Sequence, residues 1–171
     1  MDKYEWDQKH QDFVPPQAVI EETIRIGHCW SFAGSNGHIG IQLVTPITLS
    51  QVTLYYPNAR QILPKELRQA PKNILIWALL QKEWLPMLGG ELPVRPMSDF
   101  MRKDRKAPSH GAGGVFVAVG SIAYRPEDGT KQVFTLSELL ASKCNAIVME
   151  VVDNWGGNET CIYRIAVHGA E

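Results

Sequence analysis

Cysteine, charge and long apolar runs are all scarce in this chain, and each shortage excludes something. Three cysteines in 171 residues are too few for a disulfide scaffold. Because the number is odd, at most one intrachain disulfide can form and one thiol is left over. The count by itself assigns no redox compartment. Charged residues make up 20% and the formal net charge is −1, so there is neither the global basic field of a nucleic-acid binder nor an acidic tail. No apolar run approaches the ~20 residues that cross a bilayer. The opening MDKYEWDQKHQDF lacks the apolar core of a signal peptide. If the protein works in a lumen, its targeting and membrane segments are expected outside this sequence.

Catalytic signatures are missing as well. His28 and Cys29 are adjacent, but neighbours on a strand point to opposite faces, which makes the pair a poor thiol–imidazole dyad. His10, His38, His110 and His168 are scattered, with no Glu-x-x-His, His-x-His or Cys-x-x-Cys spacing for a metal. FAGSNGH is not a G-x-S-x-G elbow, and GSNG is followed by no Lys-Ser or Lys-Thr of a phosphate loop. No enzymatic activity is expected and no cofactor is required.

What the chain does have is β patterning. HIGIQLVT places Ile39, Ile41 and Leu43 on one face, and Asn36-Gly37 just upstream is a hairpin-turn dipeptide. ITLSQVTLYY repeats the alternation with a break of parity between Leu49 and Val52, which predicts a bulge or short turn near Ser50. NILIWALL (73–80) is a continuous apolar run that fits a buried strand or a short helix, and its β-branched and aromatic content favours the strand. VFVAVGSIAY, a turn at PEDG, KQVFTL, a short helical turn at SELLA, NAIVMEVV, a turn at DNWGGN and TCIYRIAVHG complete the pattern. Seven or more short strands with almost no helix predict an all-β, compact β-sandwich. Residues 1–17 read as a polar arm ending at Pro15-Pro16, with one domain over 18–171. Within it 84–114, rich in proline and glycine and carrying Arg102, Lys103, Arg105 and Lys106, reads as a long inserted loop.

Two cysteines stand at the starts of strand-like runs with aromatic neighbours, Cys29 beside Trp30 and Cys161 near Tyr163. They form either a staple between the two ends of the domain or two buried free thiols. Cys144 reads as a lone core or edge thiol. Trp30 and Phe32 read as core, Trp155 as a turn aromatic, and Tyr163 falls by parity on the face opposite Ile162, where a partner could meet it.

These residues carry a family resemblance. GHCWSFAGSNGHIGIQL resembles the opening signature of the SUN domain, G-x-C-W-x-F-x-G-x-x-G followed by apolar alternation. QAPKNILIW is similar to the family's Ala-Pro-Lys segment. QVFTL and DNWGGNETCIYRIAVHG match its closing signature of Asn-Trp-Gly, Thr-Cys-Ile-Tyr-Arg and Val-His-Gly. The matches run in order over about 18–83 and 115–169. The resemblance implies a domain in the perinuclear space, carried by an inner-nuclear-membrane protein that trimerises on an upstream coiled coil. It implies binding of the C-terminal tails of KASH proteins in a bridge that links nucleus to cytoskeleton. Because no heptad pattern is present here, the isolated chain is expected to be a monomer. The other reading is a SUN-like, jelly-roll-like module of the ER or cell wall that binds glycans or proteins, with Trp155 and Tyr56 as its loop aromatics.

Residue by residue, the resemblance implies a Cys29–Cys161 disulfide. It implies a peptide pocket in which Tyr163 matches one pocket tyrosine. Glu159 stands where the family has the other, Gln69 stands for the pocket serine and Tyr56 for the pocket histidine. It implies a loop around a monovalent cation, potassium or sodium, running from about Ala18 through Glu21 and Thr23 to His28. The ligands of such a loop are mostly backbone carbonyls, one of them at Tyr163, and an acidic loop residue of the family is replaced near Thr23. Glu159 departs from the pattern most: facing a tail carboxylate it is repelled by roughly 1 kcal/mol or more at short range. Residues 1–17 leave room for part of the family's lid hairpin. The family's lid cysteine has no counterpart in this chain, and the 84–114 insertion has no match in the family's animal members.

Overall fold

The structure is a computed structural model that describes residues 14–81, 92–100, 114–136 and 142–171. Most of the N-terminal arm, the basic cluster at 102–106 and the helical turn expected at SELLA lie outside the described residues. The described chain is an all-β, jelly-roll-like sandwich. Its strands are β1 (Trp30–Ala33), β2 (Gly37–Tyr55), β3 (Pro71–Gln81), β4 (Val94–Pro96), β5 (Gly114–Ala123), β6 (Lys131–Thr135), β7 (Cys144–Asn154), β8 (Glu159–Ile162) and β9 (Arg164–Ala170). Helix among the described residues is confined to α1 (Pro64–Leu67) and 3₁₀ turns at Pro16–Ile20, Met97–Phe100 and Pro126–Asp128.

Every ladder between these strands is antiparallel. The strand order is β4-β5-β3-β7-β2-β6, with β9 on the other edge of β2's second half, while β1 and β8 form a ribbon of their own. HIGIQLVT and ITLSQVTLYY, read as separate strands, are one strand. The first half of β2 pairs with β7 and the second lies between β6 and β9. The bulge expected near Ser50 is there, since Leu49 faces Gly169 and Gln51 faces His168. The extra residue resets the alternation, so that Leu49 and Val52 are both buried.

The Asn36-Gly37 expectation is corrected. β1 does not pair with β2 but with β8. The left-handed residue of the β1–β2 connection is Gly34, at φ +87°. Gly37 opens β2 beneath Phe32, whose ring lies 2.6 Å from where a Cβ would stand. A turn dipeptide encodes only local geometry, and the long-range partner of β1 decides otherwise.

β3 explains its own uninterrupted apolar run, because both of its faces are covered. Ile74, Ile76, Ala78 and Leu80 enter the main core, whereas Leu75, Trp77 and Leu79 belong to a second cluster with Phe116 and Val148. That outer cluster is roofed by part of the interval read as a loop. Residues 92–100 form β4 on the edge of β5 and a 3₁₀ turn that brings Phe100 to 5.5 Å from Trp77 and 5.2 Å from Phe116, ring centre to centre. Glu150 holds the segment, accepting from Trp77 Nε1 at 2.8 Å and Arg95 Nη1 at 3.0 Å. Proline suggested a loop, but Pro96 is tolerated because β4 is an edge strand.

Cys144, at the start of β7, is the free thiol and is buried; burial pushes its pKa up to about 11. The native thiol is expected to resist iodoacetamide at about pH 8 and to react once urea unfolds the chain. Equal labelling rates in both states contradict this placement. The shift is upward from 9.0, so its stabilising effect is whole below pH 9 and fades as the pH climbs towards 11.

Candidate functional site

The β1–β8 ribbon divides its side chains by period two. Trp30 and Phe32 turn inward and pack against the core, while Cys29 and Ser31 line a cleft; on β8, Glu159 and Cys161 line the same cleft, and Tyr163 follows two residues on. Cys29 and Cys161 are joined in a disulfide, with Cα atoms 5.7 Å apart and 132 positions between them in sequence. The far edge of β8 is held by the end of the α1 connection: Cys161 N–H donates to Gln69 O at 2.9 Å and Gly157 N–H to Arg68 O at 3.0 Å. The connection between β2 and β3 is thereby laid along the cleft, bringing Tyr56, Lys65, Glu66 and Gln69 to its wall.

The resulting cleft has a volume of about 390 Å³. Tyr56, Gln69, Glu159 and Tyr163, separate in sequence, all line it, together with the disulfide. Tyr163 is not an exposed contact on an open face. It is buried, packs edge-on against Tyr56 at 4.8 Å, and its hydroxyl accepts from Gly27 N–H at 3.0 Å. Among the described residues nothing accepts the phenolic proton of Tyr163. Burial raises the Tyr163 pKa, with the Gly27 N–H pulling the other way and Glu66 adding to the rise. Burial also raises that of Tyr56, helped by Tyr163, Tyr124 and Glu66, so both rings act as neutral hydrogen-bond donors. Glu159 does not turn away from its neighbours: its Oε1 accepts from Gln69 Nε2 at 2.7 Å.

The segment expected to wrap a cation runs from the first 3₁₀ turn towards β1. Ala18 is buried in the 3₁₀ turn, and its carbonyl accepts from Glu21 N–H at 3.3 Å. The Glu21 carboxylate stands 3.9 Å from His28 Nε2, and Thr23 is exposed. His28 N–H donates to Arg25 O at 2.9 Å across a turn that needs Gly27 at φ +80°. Tyr163 meets this turn through its hydroxyl. Among the described residues no group of three or more His, Cys, Asp or Glu side chains could hold a metal.

Two aromatic expectations change. Tyr56 is 3% exposed and offers no platform to a sugar, and Trp155 is partly buried with the Lys72 ammonium 5.0 Å above its ring. Sequence reasoning missed Ser31, Lys65, Glu66 and Gly27. Ser31 follows from Cys29 by strand parity. Pro64 at the start of α1 marks a helix start, but nothing local aims that turn at β8.

With the geometry in place, comparison with known proteins adds the following. Residues 10–89 and 104–171 match the family described as Sad1 / UNC-like C-terminal. The chain is 26% identical over 168 residues to SUN domain-containing protein 5 of Homo sapiens, covering 98% of this chain and 36% of that protein. It is 29% identical over 157 residues to the Mus musculus protein of the same name, covering 91% and 34%. It is 24% identical over 157 residues to SUN domain-containing protein 3 of Mus musculus, covering 91% and 40%. The chain thus spans little more than a third of the length of these curated relatives. Among solved structures, the family 32 carbohydrate-binding module of Streptococcus pneumoniae EndoD superposes with a TM-score of 0.57 at 12% identity, covering 91% of this chain and 86% of that one. That likeness is one of fold.

Proposed function

The chain belongs to the Sad1 / UNC-like C-terminal family, and on that premise we propose that its cleft receives the C-terminal tail of a KASH protein. In this reading the domain faces the perinuclear space, whose oxidising conditions suit the Cys29–Cys161 disulfide. Attachment to the inner nuclear membrane comes from sequence outside this chain, and the tail completes a bridge from nucleus to cytoskeleton. In the same reading the whole protein is a homotrimer, and the isolated chain is expected to scatter light as a monomer near 19.2 kDa.

One observation carries the reading. Tyr56, Gln69, Glu159 and Tyr163, drawn from opposite ends of the chain, line one cleft walled by the disulfide. Lys65 and the free phenolic proton of Tyr163 suit a terminal carboxylate. Charge-assisted hydrogen bonds of that kind contribute about 1.5–3 kcal/mol each. A fluorescent KASH-type peptide ending in a free acid is therefore expected to bind at least about tenfold more tightly than its C-terminal amide. Absence of binding by either form, to this chain and to a form extended upstream through a coiled coil, overturns the proposal. The glycan-binding reading has no comparable support, since the likeness to a carbohydrate-binding module is of fold and Tyr56 is buried.

A further inference from the structure

Glu159 is the member of the cleft that a tail carboxylate does not explain. It stands on β8, with Oε1 accepting from Gln69 Nε2 at 2.7 Å. Among the described residues, Oε2 has no hydrogen-bond partner and neither oxygen forms an ion pair. A second carboxylate, Glu66, lines the same cleft, with its Oε2 occupied by Leu63 N–H at 2.8 Å. Lys65 is the one cation among the described lining residues, so the lining carries one more negative charge than positive. An amide donor on one oxygen orients a carboxylate without neutralising it. The other oxygen keeps its demand for a cation or a donor.

The same cleft also holds donors for a guest's acceptor, the Tyr163 phenol and the Lys65 ammonium. Tyr56 lines it too, but among the described residues its hydroxyl is buried with no partner, so the ring serves as wall. Donors for a guest's acceptor and a carboxylate for a guest's cation therefore coexist within one volume of about 390 Å³. Such a cleft reads both signs of charge on one short segment.

Resting on the tail-binding reading above, we infer that Glu159 selects tails that carry a lysine or arginine side chain within their last few residues. The backbone end of such a tail takes the donors of Tyr163 and Lys65, and its basic side chain takes the free oxygen of Glu159. An acidic side chain at the same place meets Glu159 and Glu66 and is repelled. Specificity arises as much from that repulsion as from the attraction.

The test uses the full chain and synthetic free-acid peptides that differ only by lysine or glutamate, placed in turn at each of the last four positions. At one position at least, the lysine peptide is expected to bind about tenfold more tightly than its glutamate counterpart, with a ratio that shrinks as salt is raised. Glu159→Gln is the informative variant, because its amide oxygen still accepts from Gln69 while the charge is removed and the free oxygen becomes an NH2 donor. In E159Q the ratio is expected to fall to about twofold or less. Equal affinity of the two peptides at all four positions, or a ratio unchanged in E159Q, overturns the assignment while leaving tail binding intact. If no free-acid peptide binds either the wild-type chain or a form extended upstream through a coiled coil, the tail-binding reading fails and this selectivity with it.

Discussion

Replacing Cys29 and Cys161 together by alanine is expected to lower the free energy of unfolding by about 3–5 kcal/mol. The disulfide closes a loop with 132 positions between its ends, and cross-linking a loop of that length removes much of the freedom of the unfolded chain. Native proteins are stable by only about 5–15 kcal/mol, so the loss is a large fraction of the whole. The structure indicates where it falls. β1 is laddered only to the short β8, across four residue pairs, and the turn bearing Gly27 reaches Tyr163 through a single hydrogen bond. Without the covalent tie, that end of the cleft is the first part to open. The double variant is preferable to either single one because it leaves no unpaired thiol to exchange. Urea unfolding of the variant and of the wild type with and without reductant checks this. A midpoint unmoved by either change would mean that the staple carries little of the stability.

The second large effect is expected at Asn154, the last residue of β7. Its Nδ2 donates to Gly157 O at 3.1 Å, Glu159 O at 3.0 Å and Thr160 Oγ1 at 3.1 Å. Its Oδ1 accepts from Gly156 N–H at 2.9 Å and Gly157 N–H at 3.1 Å. One buried amide therefore holds the whole β7–β8 turn, and through Thr160, which donates to Gly34 O at 2.8 Å, it also reaches the β1–β2 connection. Asn154→Ala leaves several of these groups without partners, at a cost of about 2–4 kcal/mol. Asn154→Asp is expected to be no better near neutral pH, since it keeps the acceptor but sets a second oxygen against three others. Because the turn fixes where Glu159 and Cys161 enter the cleft, either variant should also weaken tail binding. Thermal unfolding of both variants, read beside peptide affinity, decides the matter. Wild-type melting of Asn154→Ala would show that water replaces the amide without loss.

Much of the site was legible because the SUN-like signatures sit on the residues that build it. GHCWSFAG supplies β1 and its cysteine, and DNWGGNETCIY supplies the turn, β8 and Tyr163. Parity along these two short strands is enough to separate the inward Trp30 and Phe32 from the cleft-facing Cys29, Glu159 and Cys161. Tyr56 illustrates what was not legible. Nothing in LYYPNA tells which of two adjacent tyrosines is swallowed by the core, yet Tyr56 is buried while Tyr55 stays partly exposed between Lys131 and Arg164. Gln69 and Glu159 illustrate it again, because their 2.7 Å contact joins residues 90 positions apart.

Sequence alone determined the all-β class, the apolar run of β3 and the break of alternation near Ser50, since each follows from side-chain order along a chain of known period, and the resemblance placed Cys29 and Cys161 in the opening and closing signatures. Tertiary structure alone decided that β1 pairs with β8 instead of β2, that Phe100 from a proline-rich stretch roofs the outer face of β3, and that Glu159 keeps a free oxygen in the cleft. Those outcomes depend on which distant surfaces compete for the same apolar area or the same hydrogen bond, and that competition is resolved only when the chain closes on itself.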